Sequence, residues 1–224
     1  MNNSLLDNQR RAYGKNFSKY GATPKGTYQN NTETQYLRFE RLINSLKDDL
    51  HNATIHDVGP GICDFHKFLL ENQIFHKYSG TEIVQGMIDY SKNKYGDIEI
   101  LNRDFLQMEG EYYDFIFLSG TLNLKLNTSY DDWLSWSLEI IKKMYDHANN
   151  AIAFNCLTSY NTFSHRDLMY FNPQNIIDFC IKELSRFVIL DNSYPLYEFT
   201  VTVLKEDFIA NKYKNEAFIK YFNK

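Results

Sequence analysis

In the stretch "IHDVGPGICDF", residues 55–65, an apolar lead-in runs into Asp57, Gly59 and Gly61. Two glycines at that spacing let a backbone turn tightly and come close to a ligand with no side chain in the way. A loop built for a dinucleotide carries a third glycine two positions on, where this chain has Cys63 followed by Asp64. A carboxylate at the start of the next helix opposes a pyrophosphate there. The loop therefore suits a phosphate-free ligand with a positive centre, which Asp57 and the nearby backbone can face. The bland alternative is a tight strand-to-helix turn that holds nothing.

Three later positions extend the pattern. Glu82 closes "KYSGTE", where a carboxylate can accept bonds from two ribose hydroxyls. Asp104 and Phe105 follow "IEILNR"; the carboxylate can take the amino hydrogens of an adenine while Phe105 packs on the ring. Ser119 and Gly120 end "YDFIFLSG", a small pair that leaves room for a transferring group. A molecule with adenosine, a sulfonium cation and an amino-acid tail, S-adenosylmethionine, fits all four places.

For these residues to meet, each must stand at the end of a strand in one sheet. The apolar spacing of "TETQYLRFERLINSLKDDL" predicts an amphipathic helix over 32–50, and strand and helix signals alternate from "ATIHDVG" to "AIAFNCLT". That order predicts a parallel sheet with helices on both faces. In "RFVILDNSYPLYEFTVTVLKE" the link between two strands is too short for a parallel crossover, so the last strand should run antiparallel. Gly14, Gly21, Pro24 and Gly26 should prevent one continuous helix over 1–30, and 206–224 reads as a terminal helix.

The pieces "HDVGPGICDF", "SGTEIV", "NRDF" and "YDFIFLSGTLN", together with the reversed last strand, resemble the class I S-adenosylmethionine-dependent methyltransferases. The resemblance covers most of residues 50–205. It implies an α/β, Rossmann-like fold: a seven-stranded, mostly parallel sheet with an antiparallel last strand, helices on both faces and an N-terminal helical lid. It also implies an S-adenosylmethionine cofactor held by Asp57, Gly59, Gly61, Glu82, Asp104, Phe105 and Ser119. Cys63 departs from the family's usual third glycine. On this reading 1–50 form a lid and helix, 51–205 the methyltransferase domain, and 206–224 a helix packed on that domain.

The acceptor should be bordered by two segments. In the first, Tyr13, Tyr20 and Tyr28 can wall the pocket and face a sulfonium, and Arg38 can pair with the cofactor carboxylate. In the second, "NCLTSYNTFSHRDLMYFNPQNI", His165 can serve as a general base and Arg166 can anchor an anionic substrate. Tyr197 sits at a hairpin end bordering the same cleft. Half-buried packing and surface ion pairs are the structural alternatives for each.

A net charge of -4 and a pI of about 5.9 argue against a grip on long nucleic acid. No run of about 18 apolar residues predicts a membrane span, and the N-terminus lacks a signal peptide's apolar core. Three cysteines, Cys63, Cys156 and Cys180, without C-x-x-C spacing fit a reducing, cytoplasmic setting, and no cluster calls for a metal. The expectation is a monomeric or homodimeric methyltransferase acting on a small-molecule acceptor. The rivals are a nucleic-acid methyltransferase, an NAD-linked reductase and a non-catalytic cofactor-binding module.

Overall fold

The structure, a computed structural model, describes residues 2–96 and 98–222. The chain opens with α1 (Asn2–Tyr20), which runs through Gly14 and stops at Gly21, whose φ of +64° turns the backbone out of the helix. A mid-helix glycine costs about 1 kcal/mol relative to alanine, which packing of the helix can offset. The predicted break in 1–30 thus falls at Gly21, not Gly14. A 3-10 turn, Pro24–Thr27, follows, capped by Thr23.

The second helix, α2 (Thr32–Ile43), is capped by Asn31, whose side chain accepts from the Thr34 amide. It is shorter than the predicted 32–50; residues 47–49 form a separate 3-10 turn. Strands and helices then alternate: β1 (Thr54–Val58), α3 (Asp64–Glu71), β2 (Lys77–Glu82), α4 (Gln85–Tyr95), β3 (Glu99–Asn102), β4 (Tyr113–Leu118), α5 (Tyr130–His147), β5 (Ala148–Leu157) and α6 (Pro173–Glu183). The chain finishes with β6 (Val188–Asp191), β7 (Glu198–Leu204), α7 (Glu206–Lys212) and α8 (Glu216–Ile219). The single terminal helix expected over 206–224 is therefore two short ones. Tyr213, with ψ 64°, ends the first, and Asn215 caps the second by accepting from the Ala217 amide.

The seven strands pair in the order β3-β2-β1-β4-β5-β7-β6. β7 runs antiparallel to both of its neighbours, as the short hairpin link requires. Alternation along the central strands makes two apolar layers. Ile116, Leu118, Ile152 and Phe154 face α5, α6 and the start of α1, where Leu5 and Leu6 join the cluster. Phe115, Phe117, Ala151 and Ala153 face α2 and α3. Each fully buried phenylalanine removes enough apolar surface from water to contribute about 2–3 kcal/mol. The order reverses between β1 and β4, and at such a reversal the following segments diverge to opposite faces and leave a crevice.

Candidate active site

That crevice encloses about 1080 Å³, its opening to solvent included. Its floor is the loop after β1. Gly59, with φ +73°, sits so close to Thr121 that a Cβ there would lie 2.5 Å from Thr121 Oγ1. Thr121 is itself fixed by donating to the Val58 carbonyl at 3.1 Å. Gly61 also has a positive φ, +57°. Cys63 adopts the left-handed conformation as well (φ 60°, ψ 37°), so the place of the absent third glycine keeps a glycine-like backbone. For a residue with a Cβ this costs roughly 1–2 kcal/mol. The Cys63 side chain is fully buried, and burial pushes its thiol up to about 12, which makes it a packing group and not a nucleophile.

Three strand-end carboxylates line the crevice. Asp57 is buried and accepts from the Tyr78 hydroxyl at 2.7 Å. Burial pushes its pKa up to about 7, against the restraining Tyr78 bond. Glu82 accepts from three backbone amides: Gly61 at 2.9 Å, Ile83 at 2.7 Å and Val84 at 2.9 Å. It thereby ties the glycine loop to the start of α4. Burial raises its pKa, and those three bonds oppose the rise. Asp104 caps a short turn by accepting from the Leu106 amide through Oδ1 at 2.9 Å, and Phe105 lies buried beside it. At the end of β4, the fully buried Asn155 amide holds both Ser119, at 3.3 Å, and the Gly120 N–H, at 2.9 Å. All seven residues assigned to the cofactor at these strand ends face one cavity.

The N-terminal segment forms the roof. Leu6, Gln9 and Tyr13 of α1, then Thr27 and Gln29, line the opening. Gln9 donates to the Leu124 carbonyl at 2.8 Å and Arg10 to the Ile83 carbonyl at 3.1 Å, which fixes α1 across the strand ends. Burial raises the Tyr13 pKa, so its hydroxyl stays protonated.

Six predicted residues stand elsewhere than expected. Tyr28 packs edge-on against Tyr13 with ring centroids 5.0 Å apart but does not line the crevice. Tyr20 lies at the outer end of α1 beneath Lys25. Tyr197 bonds Thr162 at 3.0 Å and packs on Phe163 at the rim. Arg38 is not open to a cofactor carboxylate: its Nε donates to both oxygens of buried Glu198, at 2.9 and 2.8 Å, and Nη1 donates to Gln29 Oε1 at 2.5 Å. Neither do His165 and Arg166 enter the crevice. They sit on the irregular segment between β5 and α6 with side chains 63% and 88% exposed, next to Asp167. This segment is anchored through Leu168 and Phe171, which leaves its tip in solvent.

Sequence reasoning passed over Gln29, Gln35, Thr121 and Trp133, all of which line the cavity. Trp133 carried a signal only as part of an amphipathic helix; its Nε1 donates to the Leu122 carbonyl at 2.8 Å and braces the loop after β4. His56 was also missed. It is fully buried within β1, bonded to Ser79 at 2.9 Å and Thr81 at 2.8 Å and stacked on Tyr113. Burial lowers its pKa to about 3, so it is a neutral structural histidine. The crevice's one lining cation among the described residues, Arg103, is engaged by both oxygens of Glu111 at 2.6 Å.

No family model matches the chain. It is 27% identical over 157 residues to the Mycobacterium tuberculosis protein named "Putative methyltransferase Rv1506c", across 68% of this chain and 93% of that one. Its fold matches the solved DhpI–SAH complex with a TM-score of 0.61 at 13% identity, over 88% of this chain and 95% of that one. It also matches N-methyltransferase NodS from Bradyrhizobium japonicum WM9, in complex with S-adenosylhomocysteine, with a TM-score of 0.58 at 12% identity, over 88% and 97%. By strand order and by the crevice at its reversal, the chain has the Rossmann-like fold of the class I S-adenosylmethionine-dependent methyltransferases, and in sequence it is similar to a protein named as a putative methyltransferase.

Proposed function

We propose that the chain transfers a methyl group from S-adenosylmethionine to an oxygen or nitrogen of a small molecule. The observation that carries this reading is the crevice itself: carboxylates from three consecutive strand ends converge under a roof made by α1. The residues fit such a donor. The close packing of Gly59 on Thr121 leaves a bare backbone for near approach. The lining carries Asp57, Asp64, Glu82 and Asp104, against one cation already neutralised by Glu111. A cationic donor without phosphates matches that field, and a phosphate-bearing coenzyme does not.

Asp57 is the group to face the donor's ammonium. Glu82 retains lone-pair capacity for a ribose hydroxyl, since a carboxylate offers about four sites and three are used. Asp104 and Phe105 would receive the adenine, and Ser119 would border the methyl path. When bound, the donor supplies an electrophilic methyl group on a positively charged sulfur. The protein's own part is to hold the acceptor in line at about 3 Å and to keep water out. The lining holds no histidine or lysine among the described residues, so a departing proton goes to a carboxylate or to solvent.

With Arg166 in solvent and Arg103 paired, an uncharged or basic acceptor is favoured over the anionic one that Arg166 suggested. The roof favours a small acceptor over a polymer. Titration calorimetry with S-adenosylhomocysteine, followed by transfer of a labelled methyl group to a panel of amines, alcohols and phenols, tests the proposal. Turnover confined to RNA or protein acceptors would sink it.

A further inference from the structure

The amide of Gln29 occupies the place that sequence reasoning gave to Arg38. Gln29 is half-buried, and its own N–H donates to the Pro24 carbonyl at 2.7 Å, which fixes the backbone. Its side chain is oriented from behind. Arg38 can only donate, and Nη1 donates to Gln29 Oε1 at 2.5 Å, so the amide oxygen faces the guanidinium. Arg38 in turn is held by Glu198, with Nη2 2.8 Å from Oε1 and Nε within reach of both oxygens; the two residues are 8% and 3% exposed. The NH2 group is thus turned away from the arginine, to within 3.3 Å of where a Cβ on Gly120 would stand, and donates to no protein group among the described residues.

The strand order says what this donor meets. Adenine and ribose belong at the ends of β3 and β2, with Asp104 and Glu82, so the rest of the donor must extend across β1 toward β4. Gly120 closes β4. The amino-acid tail arriving there brings a carboxylate into a crevice whose own ionised groups are mostly carboxylates, and it needs neutral donors. We infer that Gln29, oriented by the Arg38–Glu198 pair, binds the tail carboxylate of the cofactor through Nε2. Arg38 is then a positioning residue and Gln29 the contact.

This rests on the proposed function, and the test separates the two. Calorimetry compares S-adenosylhomocysteine with methylthioadenosine, which keeps the adenosine and sulfur but has no amino-acid tail. For Gln29→Ala, the Kd for S-adenosylhomocysteine should rise about tenfold, the loss of one hydrogen bond to a charged group. For Gln29→Glu, which sets a carboxylate against a carboxylate, it should rise further. Methylthioadenosine should bind both variants within about twofold of the unaltered chain, and this insensitivity is what a merely structural role would not give. Equal weakening of both ligands, or no weakening of either, overturns the inference. Failure of the unaltered chain to bind either ligand overturns the methyltransferase reading and the inference with it.

Discussion

The floor of the crevice and its outer rim are built in opposite ways. At the floor, each functional group is fixed by hydrogen bonds from groups of the sheet and its loops: Glu82 by three backbone amides, Asp57 by Tyr78, and the end of β4 by Asn155. At the rim, the tip of the segment between β5 and α6 carries His165, Arg166 and exposed Tyr160 and Phe163, held through neighbours in the same segment and through Tyr197, while Asp167, Met169 and Phe171 tie its base to Leu126, Asn123 and Leu157. A group that must meet a cofactor in one geometry stands where the sheet dictates the position. A group on a loop tip is free to differ without disturbing the sheet.

The contrast predicts graded losses. The largest is at Gly59: Gly59→Val adds a side chain whose first atom collides with Thr121 and forces a left-handed valine. Affinity for S-adenosylhomocysteine should fall by more than about 100-fold by calorimetry, given a clash plus roughly 1–2 kcal/mol of backbone strain. Retained affinity would show that the loop does not carry the ligand. Next, Glu82→Ala strands the Gly61, Ile83 and Val84 amides. It should lower stability in urea by about 2–4 kcal/mol, summing partly resolvated amides, and weaken the cofactor by less than Gly59→Val does.

A smaller effect is set by pH. Asp57 titrates near 7 in the folded chain, and a cationic donor binds best to its ionised form. Affinity for S-adenosylmethionine should rise about tenfold from pH 6 to pH 8, and Asp57→Asn should flatten that dependence. The stability contribution has the opposite sign. Because folding raises this carboxyl above its ordinary 3.8, the folded state binds more protons than the unfolded one between pH 4 and 7. The stability of the cofactor-free chain that is due to Asp57 is therefore full below about pH 4 and is lost as pH rises through about 7. Denaturation curves of the parent and the Asn variant at these pH values check the sign. The smallest effect belongs to the rim: His165→Ala and Arg166→Ala should each shift stability by no more than about 0.5 kcal/mol and leave cofactor affinity within about twofold. A tenfold loss from either would bring the rim into the site and erase the distinction.

The same contrast separates what could be read from the sequence from what could not. Glu82, Asp104 and Ser119 were legible because each closes or follows a segment that reads as a strand, and a parallel sheet places all strand ends on one side. The antiparallel β7 followed from the length of one link. Gln29 carried no such mark: a glutamine in a polar stretch becomes functional only because Arg38 and Glu198 approach it across the fold. Arg38 was given the wrong partner for the same reason, since nothing in its neighbourhood announces a carboxylate 160 positions away. His165 and Arg166 are the converse case, reactive types whose loop holds them outside.

That long-range ion pair also sets an order of events during synthesis. Residues 29 and 38 leave the ribosome long before the carboxylate that orients them, which is borne by the first residue of β7, the last strand in chain order. The cofactor's berth cannot be completed on a nascent chain until the final hairpin has emerged and docked, so a product released before position 198 would carry the whole glycine loop and still present its tail-binding amide unanchored.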